Sequence, residues 1–230
     1  MGRHLLEGNP PIEVLLRRSA RARSLSLRVS RLDGRVTLTM PNHVADRTGM
    51  DFLRSREDWV RHQLTGVPVE EAVGLGSVIP VEGRAVTLTP MARTRPRIDA
   101  DRLLLPDQPE VAGIKAKAFL RTLARDRLAA ASDRYASELG LGYGRITLRD
   151  TRSRWGSCTA RGDLMYNWRL VMAPTEVLNY VAAHEVAHLA EMNHSRAFWR
   201  VVERLFPHHR KCRDWLKDEG ATLHRYRFDS

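Results

Sequence analysis

The chain has 230 residues, 43% of them hydrophobic and 28% charged, the balance of a globular domain or of two small domains sharing an interface. Its only two cysteines, Cys158 and Cys212, are too few for a disulfide scaffold or a four-cysteine zinc knot. No apolar run approaches the roughly 20 residues of a membrane span, and the opening MGRHLLEGNPPIEVLL lacks the basic-then-apolar layout of a secretory signal, so the expectation is a cytoplasmic protein with no membrane partner. The net charge of +11 comes almost wholly from arginine and is uneven: residues 1–110 hold 17 Arg against 14 Asp and Glu, the remainder 21 Lys and Arg against 13. The basic second half admits an anionic partner, nucleic acid or nucleotide, although a solvated surface is the plainer reading of the charge.

In chain order, SLSLRVSRLDGRVTLTMP (24–41) alternates with period two and carries Asp33-Gly34 at its middle, which predicts a hairpin with Leu25, Leu27 and Val29 on one face and Val36, Leu38 and Met40 across the turn. Phe52, Leu53, Trp59, Val60 and Leu64 follow at helical spacing. The Gly-, Pro- and Glu-rich stretch from Thr65 to Gly76 reads as a linker or long loop, and VEGRAVTLTP, within a β-rich piece from Ser77 to about Pro106, as a second hairpin. Glu110 to Leu139 predicts a long helix ending at the glycines of GLGYG. Arg145–Arg149 alternates again, and DLMYNWRL (163–170) is its expected hairpin partner. Pro174 suits the first turn of a helix that puts Val177, Val181, His184 and His188 on one stripe, and Pro207 stops a further helix beginning near Ser195. The expected organisation is a β-rich region with one helix over 1–110 and a second domain over 111–230.

The chemistry concentrates in HEVAHLAEMNHS (184–195). His-Glu-x-x-His on a helix stacks His184 and His188 one turn apart, where both imidazoles can hold one Zn²⁺. Glu185, a third of a turn away, is displaced from the metal but close enough to take a proton from water that zinc has acidified to a pKa near 7. His194, six residues on, cannot meet them on a straight helix. If the helix stops at Met192 or Asn193, with Asn193 tolerating the left-handed conformation, the chain can return His194 as third ligand and Ser195 can cap the next helix. Glu203 is the runner-up ligand. The same spacing occurs in metzincins, but Glu191 stands where they carry glycine and no methionine follows Met192, so that reading fails.

Together with SRWGSC (153–158), NWRLVMAP (167–174) and DWL (214–216), the segment YVAAHEVAHLAEMNHSRAFW (180–199) resembles the YgjP-like metallopeptidases, bacterial zincins related to the SprT-like and WLM proteases. DGRVTLTMP also looks like that family's start, so the resemblance spans most of the chain. It implies a minimal zincin fold of α+β class, metal-dependent hydrolysis and a peptide or protein substrate, with one Zn²⁺ on His184, His188 and His194 and Glu185 as general base. Some family members carry a UTP pyrophosphatase label, which leaves the substrate class open.

Other residues admit two readings. RDTRSRWGSCTAR (149–161) holds four arginines against Asp150; either Arg154 and its neighbours clamp a carboxylate or phosphate near the metal, or Trp155 packs on the core, Gly156 makes a turn and the arginines are solvated. Tyr166 and Asn167 sit on the expected strand beside the site, where an edge strand could pair with substrate. Cys158 is either a fourth ligand or a small buried hydrophobe, His208 and His209 read as surface residues, and Phe198 and Trp199 as core. The leading function is therefore a zinc-dependent metallopeptidase. The alternatives are a metal-dependent nucleotide pyrophosphatase and a nucleic-acid-associated module with structural zinc, the last disfavoured because structural sites usually have four protein ligands.

Overall fold

Period-two alternation and turn chemistry build the N-terminal sheet: β1 (Gly2–Leu6), β2 (Ile12–Ser19), β3 (Ser26–Val29) and β4 (Val36–Pro41), in the order β1-β2-β4-β3, with β2 and β4 parallel and the other pairs antiparallel. The computed structural model describes residues 2–30, 32–67, 69–92 and 95–229. The expected hairpin joins β3 to β4, with Val29 opposite Val36, and its loop closes through the Ser30 amide donating to the Arg35 carbonyl (2.9 Å), Gly34 taking φ +66°. The helical spacing after β4 resolves into two helices, α1 (Asp46–Ser55) and α2 (Glu57–Thr65), broken at Arg56. Val14, Val36, Leu38, Met40, Leu53 and Val60 form the core here. Gly49 lets α1 approach the sheet, since a Cβ there would stand 2.2 Å from the Met40 sulfur.

The chain divides between Val69 and Glu70, within the expected linker, and not near residue 110. After β5 (Glu71–Ala72) come β6 (Val78–Val81), β7 (Arg84–Met91), β8 (Arg97–Asp99) and β9 (Arg102–Pro106), in the order β6-β7-β9-β8. The VEGRAV hairpin is present, its turn formed by Glu82 (φ 51°) and Gly83 (φ 77°). The boundary shifts because this sheet buries Ile79, Val86, Leu88, Leu103 and Leu105 in the same core as the helices that follow; a one-sided apolar sheet needs that cover.

The long helix α3 (Ala112–Leu139) ends at Gly140, which is left-handed (φ 67°) and returns its amide to the Ala136 and Ser137 carbonyls. Ala116, Leu120, Ala124 and Leu128, four apart, form its buried stripe. A three-stranded sheet follows: β10 (Ile146–Arg149), β11 (Gly156–Cys158) and β12 (Leu164–Asn167), ordered β10-β12-β11. Here the expectation of a β10–β12 hairpin is corrected: the two pair in parallel, and β11 is the antiparallel neighbour of β12. The rest comprises α4 (Thr175–Ala187), α5 (Arg196–Leu205), α6 (His209–Asp218) and β13 (Tyr226–Arg227), which pairs with β5. The architecture is α+β, and no helix among the described residues is long and apolar enough to cross a membrane.

Candidate metal centre

Helix α4 is apolar nearly all round and is buried accordingly, with Val177, Leu178, Val181, Ala182, Ala183, Val186 and Ala187 at 3% exposure or less. The polar groups of the motif are thereby carried into the interior. The helix ends at Ala187, with His188 as its C-cap, earlier than the expected stop at Met192 or Asn193. The reversal then runs through backbone turns, the Leu189 amide bonding the Val186 carbonyl and the Ala190 and Glu191 amides bonding that of Ala187. Asn193 does not adopt the expected positive φ. Its Oδ1 instead accepts from the Ser195 amide (3.1 Å), and Ser195 caps α5 by accepting from the Phe198 amide (3.3 Å).

This path brings His184, His188 and His194 together, with one ligand atom from each all within 4.8 Å of one another. His188 donates from Nδ1 to the Glu191 carbonyl (3.0 Å), which fixes the tautomer and leaves Nε2 with a free lone pair. The Nε2 atoms of His184 and His194 face each other at 3.1 Å, an arrangement that needs a proton or a cation between them. A neutral imidazole N–H can supply that proton, and His184 is neutral, its pKa pushed down to about 3 by burial and then by His188 and His194. Three imidazoles whose nitrogens converge in this way also fit a metal cation. Phe198 walls the cluster, stacked on His188 (ring centroids 4.4 Å) and edge-on to His184 and His194.

Glu185 lines the same cleft of about 230 Å³ as the histidines and the residues of β11. It is 5% exposed, and burial pushes its pKa up to about 8, opposed only by the positive charge of Arg154. Gly156 is in the strand β11 rather than a turn, and its missing side chain has a defined use: a Cβ would meet Glu185 Oε1 at 2.5 Å and Cδ at 2.8 Å. Cys158 also lines the cleft, but it is not a member of the histidine cluster, and burial with the nearby Glu185 raises its thiol pKa to about 11. Arg154 is exposed on the loop before β11.

Other expected roles are corrected. Tyr166 and Asn167 are fully buried on the central strand β12, so they cannot offer an edge to substrate. Tyr166 shares a hydrogen bond with Ser132 (2.9 Å), and Asn167 Nδ2 donates to the Thr151 carbonyl (2.8 Å), tying down the arginine loop. β11, by contrast, is an edge strand of this sheet and lines the cleft. Glu203 lies outside the cluster and pairs with His209 Nε2 at 2.7 Å; His209 is buried rather than superficial, stacked between Tyr180 and Trp199, while His208 is exposed as expected. Residue patterns also left the Asp150–Arg169 pair unread. Buried Arg169 donates to both Asp150 carboxylate oxygens (2.8 and 3.2 Å) and to the Leu223 and Tyr226 carbonyls, holding the start of the arginine loop to the C-terminal segment. Trp155 packs on Gly220 and His224, as its core reading required.

The model of the YgjP-like family, described as a metallopeptidase domain, matches residues 23–219. No curated protein matches the chain. Among solved structures, the metallopeptidase zymogen abylysin of Pyrococcus abyssi is similar at 21% identity over 40% of this chain and 95% of that one, with a TM-score of 0.37. The family match covers most of the sequence, from the N-terminal hairpin to α6, and includes the whole histidine cluster and Glu185: the chain belongs to the YgjP-like metallopeptidase family.

Proposed function

We propose that the protein is a zinc-dependent peptidase in which His184, His188 and His194 hold one ion and Glu185 is the general base. The observation that carries this reading is the convergence, in one cleft, of three histidine nitrogens, a buried carboxylate and the edge strand β11. Three protein ligands leave a coordination position open, as in catalytic rather than structural sites. When bound, the ion supplies Lewis acidity that acidifies water and polarises a carbonyl. The chain's own residues do the rest. β11 orients an extended peptide by main-chain pairing along Gly156–Cys158. Glu185 takes a proton on its carboxylate from the attacking water and returns it to the departing amine nitrogen. In the metal-free protein burial raises its pKa to about 8; the charge of a bound cation would favour the carboxylate form from which the transfer starts. Phe198 keeps bulk water from one side of the cluster. Two free thiols suit a reducing compartment such as the cytoplasm.

A second reading, hydrolysis of a nucleotide phosphoanhydride such as that of UTP, rests on Arg154, whose positive charge reaches the Glu185 carboxylate. The nucleic-acid module with structural zinc draws support only from net charge, since the described residues offer three ligands and not four. One assay separates the readings: zinc-loaded and chelated protein incubated with an unfolded protein, a peptide library and UTP. Zinc-dependent cleavage confined to peptide bonds supports the proposal, whereas release of pyrophosphate without peptide cleavage overturns it.

A further inference from the structure

The three-stranded sheet has a second working surface. Thr147 and Arg149 of β10, with Arg145 just before it, lie on its outer face, Met165 lies between, and Ser157 stands on β11, because Thr147 and Ser157 are both in register with Met165. With Arg154 from the preceding loop these residues line a groove of about 430 Å³, and Ser157 lines both this groove and the metal cleft. Three guanidinium groups face a single acid there: Asp163, whose carboxylate already accepts from the Arg145 amide (3.1 Å) and lies 3.7 Å from the Arg145 guanidinium. Among the described residues no carboxylate pairs with Arg149 or Arg154 within 4.0 Å. The groove is positive and shares Ser157 with the cleft.

We propose that this groove is a specificity subsite for aspartate or glutamate side chains of an extended substrate. The inference rests on the reading of β11 as the strand that pairs with peptide. Alternate side chains of a peptide on that edge point to the outer face, and Ser157 is small enough to let them pass toward the arginines. Arginine's planar fork suits a carboxylate. A nucleic-acid strand fits less well, because no aromatic side chain lines the groove for base stacking.

Binding to the zinc-loaded Glu185→Gln protein tests the subsite without reading turnover, so failure of the peptidase reading would show separately as absent cleavage by the parent protein. Fluorescence anisotropy is measured for two labelled ten-residue peptides, identical except for three Glu or three Gln, and for a ten-nucleotide single-stranded DNA. At low salt the Glu peptide should bind about five- to tenfold tighter, the sum of a few exposed ion pairs, and the advantage should shrink by 0.5 M salt. Replacing Arg149 and Arg154 together by Gln should abolish it, and replacing both by Glu should transfer the preference to a Lys peptide. Equal binding of the Glu and Gln peptides, no binding of either, or an acidic preference that survives the double substitution overturns the proposal. So does DNA binding tighter than peptide binding and lost with the same arginines, which would assign the groove to nucleic acid.

Discussion

The two faces of one small sheet offer different surroundings. On the inner face Gly156 and Cys158 are half-buried, Tyr166 and Glu185 are buried, and in the metal-free protein burial raises the Glu185 pKa to about 8. On the outer face Arg145, Arg149 and Ser157 meet solvent, and among the described residues no carboxylate pairs with Arg149. On the proposed reading, a period of two in the strands separates low-dielectric proton chemistry from charge selection by a few ångströms. The inner face should respond to single-atom changes by orders of magnitude, and the outer face only by factors.

The largest effect is expected from loss of a proposed ligand. His194→Ala should weaken zinc binding by more than the roughly 10–100-fold that removal of an outer-shell partner costs, whereas Glu203→Ala should leave it unchanged, because Glu203 is engaged with His209. Metal titration of the two variants checks this; the reverse pattern would move the third ligand to the carboxylate.

Gly156→Ala comes next. Its Cβ would fall inside contact distance of Glu185, and the carboxylate must shift. Since a misplacement of about 1 Å can cost 10²-fold, turnover should drop strongly with zinc retained. Wild-type turnover in this variant would show that Glu185 has room to spare.

A smaller effect is thermodynamic and belongs to the metal-free protein. Glu185 has a pKa of about 8 when folded, above the ordinary carboxylate value, so the native state holds an extra proton between the two. Stability from this group is present at low pH and is lost as pH rises through about 8. Glu185→Gln removes the titration. The metal-free variant should therefore exceed the metal-free parent in stability at pH 8, by on the order of 4 kcal/mol at most, with the gap closing toward pH 5. His184, depressed to about 3, destabilises both proteins below its unfolded pKa and cancels from the difference. Chelated thermal denaturation at several pH values tests it, and a gap that does not vary with pH would contradict the buried acid. The smallest effect is on the outer face: Arg154→Ala should alter the Michaelis constant for an acidic peptide by a few-fold with the metal and fold intact.

Legibility followed the range of the interactions. The α4 motif, the β3–β4 and β6–β7 hairpins and the Gly140 stop are local patterns, and each stands where the residues put it. His194 was legible as a partner of His184, but the route was not. α4 ends at Ala187 through backbone turns, and Asn193 uses its side chain rather than a left-handed backbone. Strand order was illegible for a longer-range reason: Gly156 reads as a turn, yet it opens a three-residue edge strand, and Tyr166 is committed to Ser132, 34 residues earlier. The domain boundary failed similarly, because only packing shows that the β6–β9 sheet shares its core with α3 and α4.

The central claim is that Glu185 moves a proton and does not hold the metal. Zinc content and peptide turnover measured on the same preparation of Glu185→Gln test it most directly. The account predicts zinc equal to that of the parent protein and turnover lower by about 10²–10⁴-fold. Zinc lost from the variant, or turnover retained with zinc bound, would contradict it.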